Sequence, residues 1–110
     1  MYSANTAYVT KDSYFEEFGI DLEIELKDGY TDNPSKKCEL FIKQVKTWLY
    51  KYMLRRYDTT QWETDWDDDV FKEALLWQIK HVIDFGDDGN IDPTAFSILR
   101  EHGMANRSHL

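Results

Sequence analysis

Asn33-Pro34-Ser35-Lys36-Lys37-Cys38-Glu39-Leu40-Phe41-Ile42-Lys43-Gln44-Val45-Lys46-Thr47-Trp48-Leu49-Tyr50-Lys51-Tyr52-Met53-Leu54-Arg55-Arg56-Tyr57 is the stretch from which the fold follows. Asn33 suits an N-cap, because its side chain can accept a bond from a free first-turn amide. Pro34 at the first helical position gives up an N–H that had no partner anyway. No further Gly or Pro interrupts the run. Cys38, Phe41, Val45, Trp48 and Tyr52 recur at spacings of three and four, and Ile42, Leu49 and Met53 widen the stripe. The pattern predicts a long helix over 34–57 with one broad apolar face. Its other face is basic, with Lys36, Lys37, Lys43, Lys46, Lys51, Arg55 and Arg56 against the single acid Glu39.

That basic face is out of keeping with the rest of the chain. Thirteen basic and twenty-one acidic residues give a net charge of −8. Seven bases against one acid make 34–57 worth +6, so the remainder carries −14. The protein is electrically lopsided, and its acidic balance argues against wrapping nucleic-acid phosphates.

At 110 residues the chain is expected to form one domain, 1–110, with 1–9 an N-terminal arm and 104–110 a C-terminal tail. Hydrophobic content of 42% and aromatic content of 15% exclude a disordered chain, despite 31% charged residues. No apolar run has the length of a membrane span, and the polar N-terminus lacks the apolar core of a signal peptide. Cys38 is the sole cysteine and lies on the apolar stripe, which predicts a buried thiol and suits a reducing cytoplasm.

Outward from the central stretch, Thr10 to Phe18 reads as a short helix. Thr10 or Ser13 can cap it, Ser13 with Glu16 fits a capping box, and Gly19 supplies a left-handed stop. Tyr14, Phe15 and Phe18 are expected to face one way. Ile20 to Leu26 alternates as a strand would, but no second strand exists to pair with it. An irregular or helical segment laid on the core is the expectation. Beyond Tyr57, a polar connection with Trp62 and Trp66 leads to Asp67, Asp68 and Asp69, whose charge favours a helix N-terminus. A second long helix is predicted over 67–85. Phe71, Ala74, Leu75, Gln78, Val82 and Phe85 keep helical spacing, while Leu76, Trp77, Ile79 and Ile83 make it apolar nearly all round. Such a helix must be covered on more than one side. Gly86 stops it, and Asp92-Pro93 opens a short third helix ending at Gly103. The fold class is therefore all-α, a small helical bundle with two long helices and short helices near each terminus.

Chemistry is harder to find. Asp84 to Asp92 imitates a calcium loop, with Gly89 and Ile91 at the turn and apolar positions. Its third ligand position would be Gly86 and its twelfth Ala95, so the calcium reading fails. Asp84-Phe85-Gly86 lacks any kinase context. His81, His102 and His109 have no ligand spacing with Cys38 or each other, and Cys38 has no residue beside it that would mark a nucleophile. No phosphate cradle or serine elbow is present. The sequence therefore predicts no catalytic residue, cofactor or metal site, and no enzyme. Gln78, polar in mid-stripe, needs partners if buried, and a loop backbone is the expected one.

Several residues in order carry a resemblance: Val9-Thr10 followed by Tyr14, then Gly19-x-Asp21-Leu22, then Asn33-Pro34-Ser35. They continue with Phe71-Lys72-Glu73-Ala74-x-x-x-Gln78, Gly86-Asp87, and finally Leu99-x-x-x-Gly103-Met104-x-Asn106-Arg107. Together they resemble the small head–tail connector (adaptor) proteins of long-tailed bacteriophages, over nearly the whole chain. Members often carry a longer glycine-rich insert between the last two helices, reduced here to Asp87 to Ile91. The resemblance implies a virion protein at the head–tail interface, assembled in the host cytoplasm. It implies a ring, usually a dodecamer, beneath the portal protein, extending the DNA channel and docking the stopper or tail. It also places Asn106, Arg107, Ser108, His109 and Leu110 at the portal contact.

A ring is built from two different patches on each subunit, and complementary potentials can set their register. On that basis Lys43, Lys46, Lys51, Arg55 and Arg56 are expected to face Asp65, Asp67, Asp68 and Asp69 of the adjacent subunit. A net negative channel wall would not grip passing DNA. The competing readings are an acidic DNA mimic, which the basic central helix interrupts, and a generic helical interaction module.

Overall fold

In the computed structural model, residues 9–26, 34–56 and 68–101 are described, and among them every regular element is helical. The order is α1 (Lys11–Phe18), α2 (Leu22–Glu25), α3 (Pro34–Arg56), α4 (Asp68–Phe85) and α5 (Pro93–Glu101). This is the small all-α bundle that the apolar spacing predicts, with α3 and α4 as its two long members.

The short helices are set by their caps. Thr10 is in an extended conformation, so its hydroxyl accepts the Ser13 N–H at 3.2 Å while the Ser13 hydroxyl accepts the Thr10 N–H at 3.3 Å. The capping box is thus Thr10 with Ser13, not Ser13 with Glu16. Once Thr10 caps, Ser13 is the third helical residue, and its own side chain closes the box. Gly19 ends α1 at φ +69°, its N–H donating to Phe15 at 2.7 Å. A residue with a Cβ is disfavoured there. Two residues later Asp21 accepts the Glu23 N–H at 3.0 Å and starts a single helical turn instead of a strand. The alternation of Ile20 to Leu26 resolves accordingly: Leu22 is buried, Leu26 rests on the core edge, and Ile24 is 67% exposed. Lys11 on α1 pairs with Glu23 on α2, joining the two.

The core lies where α4 meets α1, α3 and α5. From α3 come Cys38, Ile42, Val45, Leu49 and Met53; from α4, Val70, Phe71, Ala74, Leu75, Leu76 and Ile79; from α5, Ala95 and Leu99. Each large aliphatic side chain so buried contributes roughly 1.5–3 kcal/mol of transfer free energy. Tyr14 is fully buried, and its ring meets Phe18 at 4.9 Å, which in turn meets Trp77 edge-on at 5.0 Å. This aromatic chain docks α1 on α4. Lys80 spans the same joint, above the Phe18 ring and 2.7 Å from Asp84.

Three sequence expectations need correction. The centre of the α3 stripe is Cys38, Ile42, Val45, Leu49 and Met53, whereas Phe41, Trp48 and Tyr52 sit half-buried on one flank. Phe15 is 55% exposed, because α4 meets α1 along the Tyr14–Phe18 edge only. Phe85, though on the apolar spacing of α4, is 70% exposed at the helix end, beyond the reach of α5. The Asn33 cap, the helix end at Gly103, the tail and all of the arm but its last residue fall outside the described residues; that residue, Val9, is buried in the core and does not belong to an arm.

Candidate functional site

The flank of α3 that the core leaves open is one wall of a cleft of about 360 Å³. Phe41, Gln44, Val45 and Trp48 line it from α3, Gln78 and Val82 from α4, and the connection Asp87 to Asn90 closes the far side. Helical spacing places Phe41, Val45 and Trp48 on adjacent turns, and Trp48 stacks on Tyr52 at 5.4 Å and 27°.

The far wall is held by a polar clamp. Gln78 is only 2% exposed, yet both ends of its amide are used: Nε2 donates to the Asn90 carbonyl at 3.0 Å, and Oε1 accepts the Asp92 N–H at 2.7 Å. Buried amides require such partners, and a loop backbone supplies them as the sequence suggests. One turn on, His81 Nε2 lies 3.1 Å from both oxygens of Asp88, and its Nδ1 lies 3.5 Å from Asp92 Oδ1. Asp88 also accepts the Asn90 N–H at 3.0 Å. That bond first, then those with His81, holds the Asp88 carboxyl below the usual carboxylate range. Asp92 caps α5 by accepting from Thr94 at 2.9 Å and Ala95 at 3.1 Å. Gly86 and Gly89, at φ +84° and +74°, make the two sharp turns between.

These bonds engage the acids of the calcium-like spacing. Asp88 and Asp92 spend their oxygens on His81 and on backbone amides, and the loop is folded as a capped turn. Among the described residues, no group of three or more His, Cys, Asp or Glu side chains is arranged to hold a metal ion. Cys38 is buried, and burial raises its thiol's pKa, the opposite of what activates a nucleophile. No helix among the described residues is long and apolar enough to cross a membrane.

The charged residues singled out from the sequence are spread differently. Lys43 and Lys51 are exposed on α3 and hold no ion pair among the described residues. Lys46 is half-buried, and burial, then the neighbouring charge of Lys43, lowers its pKa. Asp69 is exposed on the first turn of α4, and Asp68 is that helix's first residue. Arg55 and Arg56 belong to the end of α3, but their side chains, like Asp65, Asp67 and Asn106 to Leu110, lie outside the described residues. Exposed acids occupy other surfaces: Asp12, Glu16 and Glu17 on α1, Asp21 and Glu25 at the two ends of α2, Asp84 in the last turn of α4, and Asp87 and Asp88 after it.

The cleft is what sequence reasoning missed. Its one advance signal was Gln78, a polar residue in an apolar stripe. Comparison with family models, with curated proteins and with solved structures finds no match to this chain.

Proposed function

We propose that the chain is a structural virion component: a head–tail connector that closes into a ring beneath a portal, lengthens the DNA channel and offers a docking surface to a stopper or tail. The observation that carries this reading is the place of the residues behind the resemblance. Thr10 and Gly19 bound α1, Tyr14 and Leu22 are fully buried, and Asp21 caps α2. Phe71 and Ala74 are core, Gln78 clamps the last connection, and Gly86 makes its first turn. The residues that carry the resemblance therefore help set the architecture of the bundle, which suits a protein that works by shape.

Charge supports the same reading. Lys43 and Lys51 on α3 are exposed and have no counter-charge among the described residues, while α1, α2 and the end of α4 are acidic. Two unlike patches are what a head-to-tail ring requires. The acids proposed to receive the basic face are Asp65, Asp67, Asp68 and Asp69 of the next subunit.

Negative-stain electron microscopy of the purified protein mixed with the portal of the same virus tests this. Ring-shaped density is expected on one face of the portal, with occupancy reduced when Lys43→Glu and Lys51→Glu are combined. Bare portals with the wild-type protein would refute the connector reading. Undiminished occupancy with the double variant would refute the charged contact alone.

A further inference from the structure

We infer that the cleft between α3 and the α4–α5 connection is a docking site for a lysine or arginine side chain carried on an apolar segment of a partner protein. The inference stands apart from the ring reading.

The walls dictate the chemistry of the occupant. Phe41 and Trp48 present aromatic surface, and Val82 makes the opposite side apolar. Among the described residues that line the cleft, the ionisable groups are Asp87 and Asp88, both acids. Asp88 is committed to His81 and Asn90, whereas Asp87 is exposed and has neither hydrogen bond nor ion pair among the described residues. Gln44, on the α3 side, is likewise uncommitted. An aliphatic stem against aromatic rings, with its cationic head at a carboxylate, is the arrangement that satisfies both parts at once. Such a head gains from the ring faces as well as from the charge.

Size and surroundings favour a protein segment over a free small cation. A volume of about 360 Å³ is near the lower end of ligand clefts, which run roughly 300–1,000 Å³. Phe85 lies one turn beyond Val82 and is 70% exposed, so apolar surface continues past the cleft along α4. A polyamine would leave that strip uncovered, whereas apolar residues flanking a basic one would cover it. An acidic segment would meet Asp87 and Asp88 at short range and is excluded by repulsion.

The test uses the full chain and four synthetic peptides, acetyl-Ala-X-Ala-amide with X being Leu-Arg-Leu, Leu-Lys-Leu, Leu-Gln-Leu or Leu-Glu-Leu. Chemical shifts of the Trp48 indole N–H and of the Val45 and Val82 methyls are followed up to millimolar peptide. The arginine and lysine peptides are expected to move these signals, more weakly as salt is raised, and the glutamate peptide to leave them still. Asp87→Asn is expected to weaken the basic peptides about two- to fivefold, the worth of one exposed charge pair. It leaves the fold unchanged, because Asp87 is exposed and its side chain is uncommitted. Four results would each overturn the inference: equal shifts from the glutamate peptide, no shift from any peptide, indifference to Asp87→Asn, or shifts that depend on protein concentration without peptide. The last would assign the cleft to a second copy of the chain.

Discussion

Replacing Gln78 by Met isolates the clamp that builds the far wall of the cleft. Methionine keeps the volume of glutamine, so the transfer and cavity costs of a truncation are largely avoided. What disappears is one bond to the Asn90 carbonyl at 3.0 Å and one from the Asp92 N–H at 2.7 Å. Asn90 is exposed, so water can reach its carbonyl and the loss there is near the low end. The Asp92 amide is partly buried and is stranded when its acceptor goes, at about 1–3 kcal/mol. Together the two losses come to about 2–3 kcal/mol, a large share of the roughly 5–15 kcal/mol that holds a domain. With a typical urea slope of about 1–3 kcal/mol per molar, the unfolding midpoint should fall by about 0.7–3 M, read by far-ultraviolet circular dichroism. Gln78→Glu supplies an internal control. It keeps the acceptor for Asp92 but points a buried carboxylate at the Asn90 carbonyl, so it should be the worse variant near neutral pH. Acidification protonates that carboxyl, which can then donate to Asn90, and the gap to wild type should narrow. A Gln78→Met protein within about 0.5 kcal/mol of wild type, or a Gln78→Glu deficit that ignores pH, would refute the clamp; the 0.5 kcal/mol bound is the usual scatter of inconsequential substitutions.

Further predictions follow from buried hydroxyls, turns and titrations. Tyr14 is fully buried and its hydroxyl has no partner among the described residues, so Tyr14→Phe should be neutral or stabilising by up to about 1 kcal/mol in the same denaturation. A loss above that would mean the hydroxyl is bonded. Burial first, then the charges of Asp84 and Glu25, pushes the Tyr14 pKa up to about 12. The unfolded value is about 10, so the folded state favours the protonated form. Stability is then full below pH about 10 and declines as pH rises toward 12. A phenolate titrating near 10 by ultraviolet absorbance in the folded protein, with all other tyrosines assigned, would contradict this. Gly86→Ala places a Cβ at φ +84°; the backbone cost is about 1–2 kcal/mol, although nothing else crowds the site. An unchanged thermal midpoint would show that the turn relaxes to another conformation.

Much of this fold was legible because its punctuation is chemical. Gly19, Pro34, Gly86 and Asp92-Pro93 each stand at an element boundary in the structure, for the reasons their backbones and side chains dictate. What spacing could not give was which part of a broad apolar face meets another helix. Phe41, Trp48 and Tyr52 on α3 share the periodicity of Ile42, Leu49 and Met53, yet the packing of α4 selects the second set and leaves the first beside the cleft. The same limit applies to Phe15 and Phe85, apolar by pattern but left mostly exposed. The cleft itself depends on a long-range bond between residues 78 and 90, and no local pattern encodes it. Charge was readable in amount and not in arrangement: the bases of α3 were evident, but the commitment of Asp88 and the freedom of Asp87 emerge only from the turn.

Immunogold electron microscopy of intact virions, with antibody raised against this chain, tests the connector proposal most directly. The account predicts gold at the single vertex where head meets tail, and particles that fail to join heads to tails when the gene is disrupted. Virions that carry no label anywhere, and that assemble normally without the protein, would contradict it.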